Sequence, residues 1–80
     1  MNKEQQRQRI GKEIADLRRQ RGMTQQQVSN ATAILRPHIT RIEQGRYSVG
    51  FDTLQAIADA LDADIRIVPR RTTSYMSTSL

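Results

Sequence analysis

The sequence predicts a mainly α-helical domain of four or five short helices followed by one short strand. Three observations carry that expectation. Apolar residues recur at helical spacing in successive stretches, cap and stop residues such as Thr24, Gly22 and Gly45 separate them, and the period switches to alternation over ADIRIVPR.

The first helix is expected from about Gln5 to Arg21, because Ile10, Ile14 and Leu17 repeat at i, i+4 and i+7 and Gly22 follows as a stop. Ahead of Ile10 there is no apolar partner to bury, so residues 1–9 are expected to form a frayed N-terminal segment. Thr24 then occupies an N-cap position, with Gln27 completing a capping-box pattern, and a second helix runs over Gln25 to Thr32. Val28 and Ala31 are its expected inward residues. After the short Ala33–Ile34 turn comes LRPHITRIEQGR, residues 35–46, closed as a helix by Gly45. On that helix Leu35, Ile39 and Ile42 share one face, while Pro37, Thr40, Arg41 and Gln44 gather on the opposite one.

Gly50 can cap a fourth helix, Phe51 to Leu61, in which Phe51, Leu54, Ile57, Ala58 and Leu61 follow the helical period. Beyond it Ala63, Ile65 and Ile67 alternate with Asp64, Arg66 and Val68, which is a strand pattern ended by Pro69. The Ser/Thr-rich stretch TTSYMSTSL, residues 72–80, is expected to be a mobile tail, leaving 10–71 as the domain.

Eighty residues allow one domain whose core lies near the lower limit for a chain without metals, disulfides or a partner. There is no cysteine, so disulfides, thiolate metal sites and cysteine nucleophiles are excluded. His38 is the single histidine and makes no zinc site by itself. Ser29 and Asp52 form no recognisable triad, and no glycine-rich phosphate loop is present, so an enzyme is not expected, nor is a cofactor. No apolar run approaches a membrane span and MNKEQQRQRI is too polar for a secretory signal, which places the expected compartment in the cytoplasm. The formal charge of +5 points to an anionic partner, and arginine supplies eleven of the thirteen basic residues, which favours phosphate or a guanine edge.

Two short helices joined by a tight turn, the second with a basic outer face, make the pattern that sets a recognition helix in the DNA major groove. From Thr24 to Gly45 the sequence TQQQVSNATAILRPHITRIEQG resembles the helix-turn-helix of the Cro and phage-repressor type, the xenobiotic response element family. The likeness extends back through LRRQRGM and forward through TLQAIADAL, about residues 10–61. It implies a lambda-repressor-like fold and a DNA-binding transcriptional regulator, with a repressor as the first reading. Carried over by position, Arg36, Pro37, Thr40 and Arg41 fall where the family reads bases. Gln25 matches a phosphate-gripping glutamine at the start of the second helix, and Arg46, Tyr47 and Ser48 fall in the loop laid along the second backbone. Thr24, His38 and Gln44 complete the expected phosphate set. Arg18 and Glu43 match an arginine and a glutamate that pair across the first and third helices. The chain departs from the family at Ala33, where the turn commonly has glycine, at Leu35, where a Ser or Thr cap is common, and at Val49–Gly50, where Pro-Ser is frequent.

One strand cannot make a sheet, and a second copy is the simplest supply of another. Pairing Asp64 to Val68 antiparallel with its mate predicts a homodimer whose interface is Ile65, Arg66, Ile67 and Val68. Its two recognition helices would lie roughly 34 Å apart and select an inverted repeat. No membrane and no small-molecule ligand is expected. The alternative reading is an antitoxin, because the strand after the fourth helix also resembles antitoxins built on this domain, in which a terminal segment holds a toxin protein.

Overall fold

In the computed structural model, which describes residues 1–70, the chain forms α1 (Lys3–Gln20), α2 (Gln25–Thr32), α3 (Arg36–Glu43) and α4 (Phe51–Ala60). α1 starts two residues earlier than apolar periodicity suggests, because Asn2 caps it. The Asn2 side chain accepts from the Gln5 N–H at 2.8 Å, and the Gln5 side chain accepts from the Asn2 N–H at 3.0 Å. α2 opens with the same device, built from Thr24 and Gln27 at 3.1 and 2.8 Å. The N-cap residues of α3 and α4 are Leu35 and Gly50, neither of which supplies a side-chain cap. Pro37, in the first turn of α3, removes an N–H that would have had no intrahelical partner.

The core is Ile14 from α1, Val28 from α2, Ile39 and Ile42 from α3, and Ile57 with Leu61 from the α4 end. Three residues expected to join it do not. Leu35 and Phe51 are 75% and 64% exposed, and Ala31 is exposed as well. Leu35 and Phe51 stand at the entrances of their helices, where the helical period still points inward but no neighbouring helix extends to cover it.

α1 crosses the C-terminal end of α3 at close range, and glycine makes the approach possible. A Cβ on Gly11 would lie 2.6 Å from the Glu43 carbonyl oxygen, and one on Gly45 would lie 2.6 Å from the Gln8 Cα. Gly45 also has φ 73°, the left-handed conformation that closes a helix. The turn between α2 and α3 meets the same backbone demand without glycine: Ala33 has φ 64° and serves as the C-cap of α2. Its left-handed backbone costs roughly 1–2 kcal/mol, partly recovered from glycine's greater unfolded-state entropy. Ala33→Gly should therefore raise stability by about 0.5–1 kcal/mol in urea unfolding, and an unchanged or lower midpoint would refute the strain.

The far end of α4 is strapped to α1. Arg21 donates from Nε to the Leu61 carbonyl at 2.9 Å and from Nη2 to the Asp62 carbonyl at 3.2 Å, placing a cation on the negative end of the helix dipole. Asp62 turns the chain out with φ 56°.

The expected strand is the main correction to the predicted architecture. Residues 63–70 form no helix or strand, and no strand occurs among the described residues. Nor do Ile65 and Ile67 share a buried face: Ile65 is half-buried beside Ile10, Leu17 and Leu61, but Ile67 is 99% exposed. A strand is defined by its ladder, and a single chain offers this segment no partner backbone. The expected tail over residues 72–80 lies outside the described residues. No described helix is long and apolar enough to cross a membrane.

Candidate nucleic-acid interface

The α2–turn–α3 unit is held in shape by its own hydroxyl groups. Ser29 donates to the Ile34 carbonyl, and Thr32 donates to the Val28 carbonyl at 2.7 Å while accepting from the Ile34 N–H at 3.2 Å. These bonds occupy the polar backbone that a tight turn exposes, and with Ile39 and Ile42 buried they fix which face of α3 points outward.

On that outward face Arg36, Pro37, Thr40 and Arg41 line one shallow depression. Arg36, Pro37 and Arg41 are exposed, and Thr40 is half-buried. Neither Arg36 nor Arg41 makes an ion pair or side-chain hydrogen bond among the described residues. Arg36 also lines a second depression, at the start of α2, together with Arg19, Thr24, Gln25 and Gln26. It therefore stands between the outward face of α3 and the N-terminal N–H groups of α2. Arg19 and Gln26 escaped the sequence reading. The basic run LRRQR and the repeated glutamine after Thr24 are the signals that mark them.

Behind this face runs a polar chain that joins three helices. Arg18 clasps Glu43 with two hydrogen bonds, Nε to Oε2 at 2.7 Å and Nη2 to Oε1 at 3.1 Å, and spends Nη1 on the Met23 carbonyl at 2.9 Å. Both side chains are buried, at 10% and 6% exposure. Hydrogen bonding to Glu43 is the main cause that raises the Arg18 guanidinium above its ordinary range. Burial opposes that shift and the Glu43 charge adds to it. Glu43 Oε1 also accepts from Gln25 Nε2 at 3.0 Å, and Gln25 Oε1 in turn accepts from the Thr40 hydroxyl at 2.9 Å. Gln25 thus keeps one amide hydrogen for a ligand, while its carbonyl oxygen orients Thr40.

Most of the remaining expected phosphate contacts lie on α3 and the loop that follows it. His38 meets Tyr47 edge to face, with ring centroids 4.4 Å apart and planes at 81°. Gln44 accepts from Arg46 Nη1 at 3.3 Å, and Gln44, Arg46, Tyr47 and Ser48 are all exposed. Thr24 is exposed, with its hydroxyl engaged in the α2 cap. Of the expected dimer residues, Arg66, Ile67 and Val68 are exposed and Ile65 is half-buried; Ile65, Arg66 and Val68 line the groove between α1 and α4, and Ile67 does not.

Sequence comparison agrees with this geometry. Over residues 9–69 the chain matches the family described as a helix-turn-helix domain. It is 30% identical over 59 residues to the immunity repressor protein of Bacillus phage phi105, an alignment covering 74% of this chain and 41% of that protein. The chain therefore spans about two fifths of the length of that relative. With the family's residues running from the middle of α1 past the end of α4, the chain belongs to the helix-turn-helix domain family.

Proposed function

We propose that this chain is a sequence-specific, double-stranded DNA-binding transcriptional regulator, a repressor that acts as a homodimer on an inverted repeat. The observation that carries the reading is the outward face of α3. Two arginines without acid partners flank Pro37 and Thr40 there, on a helix whose opposite side is locked into the core. Membership of the helix-turn-helix family and likeness to a phage immunity repressor support it, as does the formal charge of +5.

In this reading α3 enters the major groove, where Arg41 and Arg36 each offer a bidentate fork to guanine and Pro37 and the Thr40 methyl make apolar contact. Gln25, with the N–H groups at the α2 start, grips a phosphate, and Thr24, His38, Gln44, Arg46, Tyr47 and Ser48 take others. Repression follows from occupying promoter DNA. Selection of duplexes from a random pool at near-physiological salt tests the whole proposal. An inverted repeat with half-sites roughly one helical turn apart is the expected product, and a folded protein that enriches nothing would count against it.

Arg41→Ala should lose about 1–3 kcal/mol at one base-pair position and relax the preference there. Arg46→Ala should instead weaken all sequences alike and lower the slope of log K against log salt by about 1. Titrations of matched and single-mismatch duplexes at several salt concentrations separate the two. Identical behaviour of both variants would overturn the division between reader and anchor.

A further inference from the structure

We infer that Thr40 reads the operator as a hydrogen-bond acceptor, so that the base beneath it carries an exocyclic amine, adenine or cytosine, on the strand it contacts. The inference rests on the DNA-binding reading above and assigns a base class to one position within it.

A threonine hydroxyl can in general read any base, since it has one hydrogen to donate and two lone pairs that accept. In this fold the hydrogen is already committed. Thr40 donates to Gln25 Oε1 at 2.9 Å and shares that hydrogen with the Arg36 carbonyl at 3.2 Å. Two inward acceptors compete for one hydrogen, and none is left for a base. No group among the described residues donates to the hydroxyl oxygen, so its lone pairs are unspent. Thr40 is half-buried and lines the same depression as Arg36, Pro37 and Arg41, the face that the DNA-binding reading turns toward the bases.

The Gln25 amide could undo this by turning over, presenting Nε2 to Thr40 and no longer holding the hydroxyl hydrogen. Glu43 forbids it. A carboxylate has only acceptors, and Glu43 Oε1 stands 3.0 Å from Gln25 Nε2. A turned amide would set oxygen against oxygen beside a side chain that is 6% exposed and whose two oxygens are both held by Arg18. The sense of the hydrogen bond at the surface is therefore fixed from behind by a buried ion pair. Arg18 holds Glu43, Glu43 orients Gln25, and Gln25 takes the Thr40 hydrogen. Guanine O6 and thymine O4 are acceptors and would meet the Thr40 lone pairs oxygen to oxygen, whereas adenine N6 and cytosine N4 donate to them.

Selection from a random duplex pool, followed by titration of single-substitution duplexes, tests the assignment on the unaltered chain and on variants at Thr40. The unaltered chain should show one position of the recognised sequence at which adenine or cytosine on one strand binds about tenfold better than guanine or thymine. Thr40→Ser keeps the hydroxyl and should keep that preference. Thr40→Val and Thr40→Ala lack the oxygen, and each should flatten that position alone. Far-ultraviolet circular dichroism checks that the variants stay folded. If the folded variants flatten no position, if the position they flatten held guanine or thymine, or if Thr40→Ser loses the preference as well, the acceptor assignment is wrong while the DNA-binding reading stands. If the folded, unaltered chain enriches no sequence, the DNA-binding reading itself fails and the assignment goes with it.

Discussion

Arg18→Ala should lose about 3–5 kcal/mol of folding stability, the cost of leaving a buried carboxylate without its cation. Glu43 is 6% exposed, and without Arg18 its charged oxygens would keep only the Gln25 amide donor. A loss of that size approaches the whole stability of a small domain, so the variant should be largely unfolded in water. Chemical denaturation followed at 222 nm measures it, and a loss below about 1 kcal/mol would mean that water reaches Glu43 and takes the place of Arg18. Replacing both partners, Arg18→Met with Glu43→Leu, should recover much of the loss, because no charge then remains buried alone. The raised Arg18 value sets the pH window. The pair contributes fully below arginine's unfolded value and fades only as pH rises through the still higher folded one. No loss traceable to Arg18 is therefore expected anywhere in the neutral range.

Gly11→Ala should be nearly as damaging, by a different route. The added methyl would meet the Ile42 and Glu43 carbonyl oxygens, backbone atoms that cannot rotate away as a side chain would. α1 must then lift from the end of α3, opening the Ile14–Ile42 region of the core and loosening the Arg18–Glu43 clasp. Overpacking of this kind costs about 1–3 kcal/mol and more where only backbone can yield. The expected result is a loss of about 3 kcal/mol, although alanine is the better helix former by nearly 1 kcal/mol. Gly22→Ala controls for composition, since nothing lies within 4 Å of a Cβ there, though its φ of 69° still carries local strain. Should Gly11→Ala prove neutral or stabilising, the close crossing of α1 and α3 would be wrong.

What could be read from the residues alone was whatever depends on near neighbours in sequence. Thr24 with Gln27 announces the start of α2, and the spacing of Ile39 with Ile42 and of Ile57 with Leu61 gives the faces that the structure buries. Periodicity gives direction without distance, which is why Ala31, Leu35 and Phe51 looked inward and are exposed. Gly11 illustrates the opposite limit. Within its own helix it registers only as a propensity penalty, and its purpose appears when the carbonyls of Ile42 and Glu43, far along the chain, come against it. The alternation over residues 63–68 is real in sequence, but alternation alone does not make a strand, and the structure forms none there. At the candidate interface, the outward placing of Arg36, Pro37 and Arg41 follows from helix phase. The link from Thr40 through Gln25 to Glu43 does not, since it spans three helices and no spacing rule connects them.

That link divides the side chains proposed to meet DNA into two kinds. Gln25 and Thr40 have surrendered their rotamer freedom to the fold, so a duplex that meets them incurs little further ordering cost but must accept their positions as given. Arg36 and Arg41, unpartnered and exposed, each retain about 2 kcal/mol of side-chain entropy that binding must remove. The same freedom lets them re-aim. Sequence changes in an operator beneath the arginines can be met by a new rotamer, whereas changes beneath Thr40 meet a surface that does not adapt. Related operators should therefore vary most under the arginines and least under the threonine.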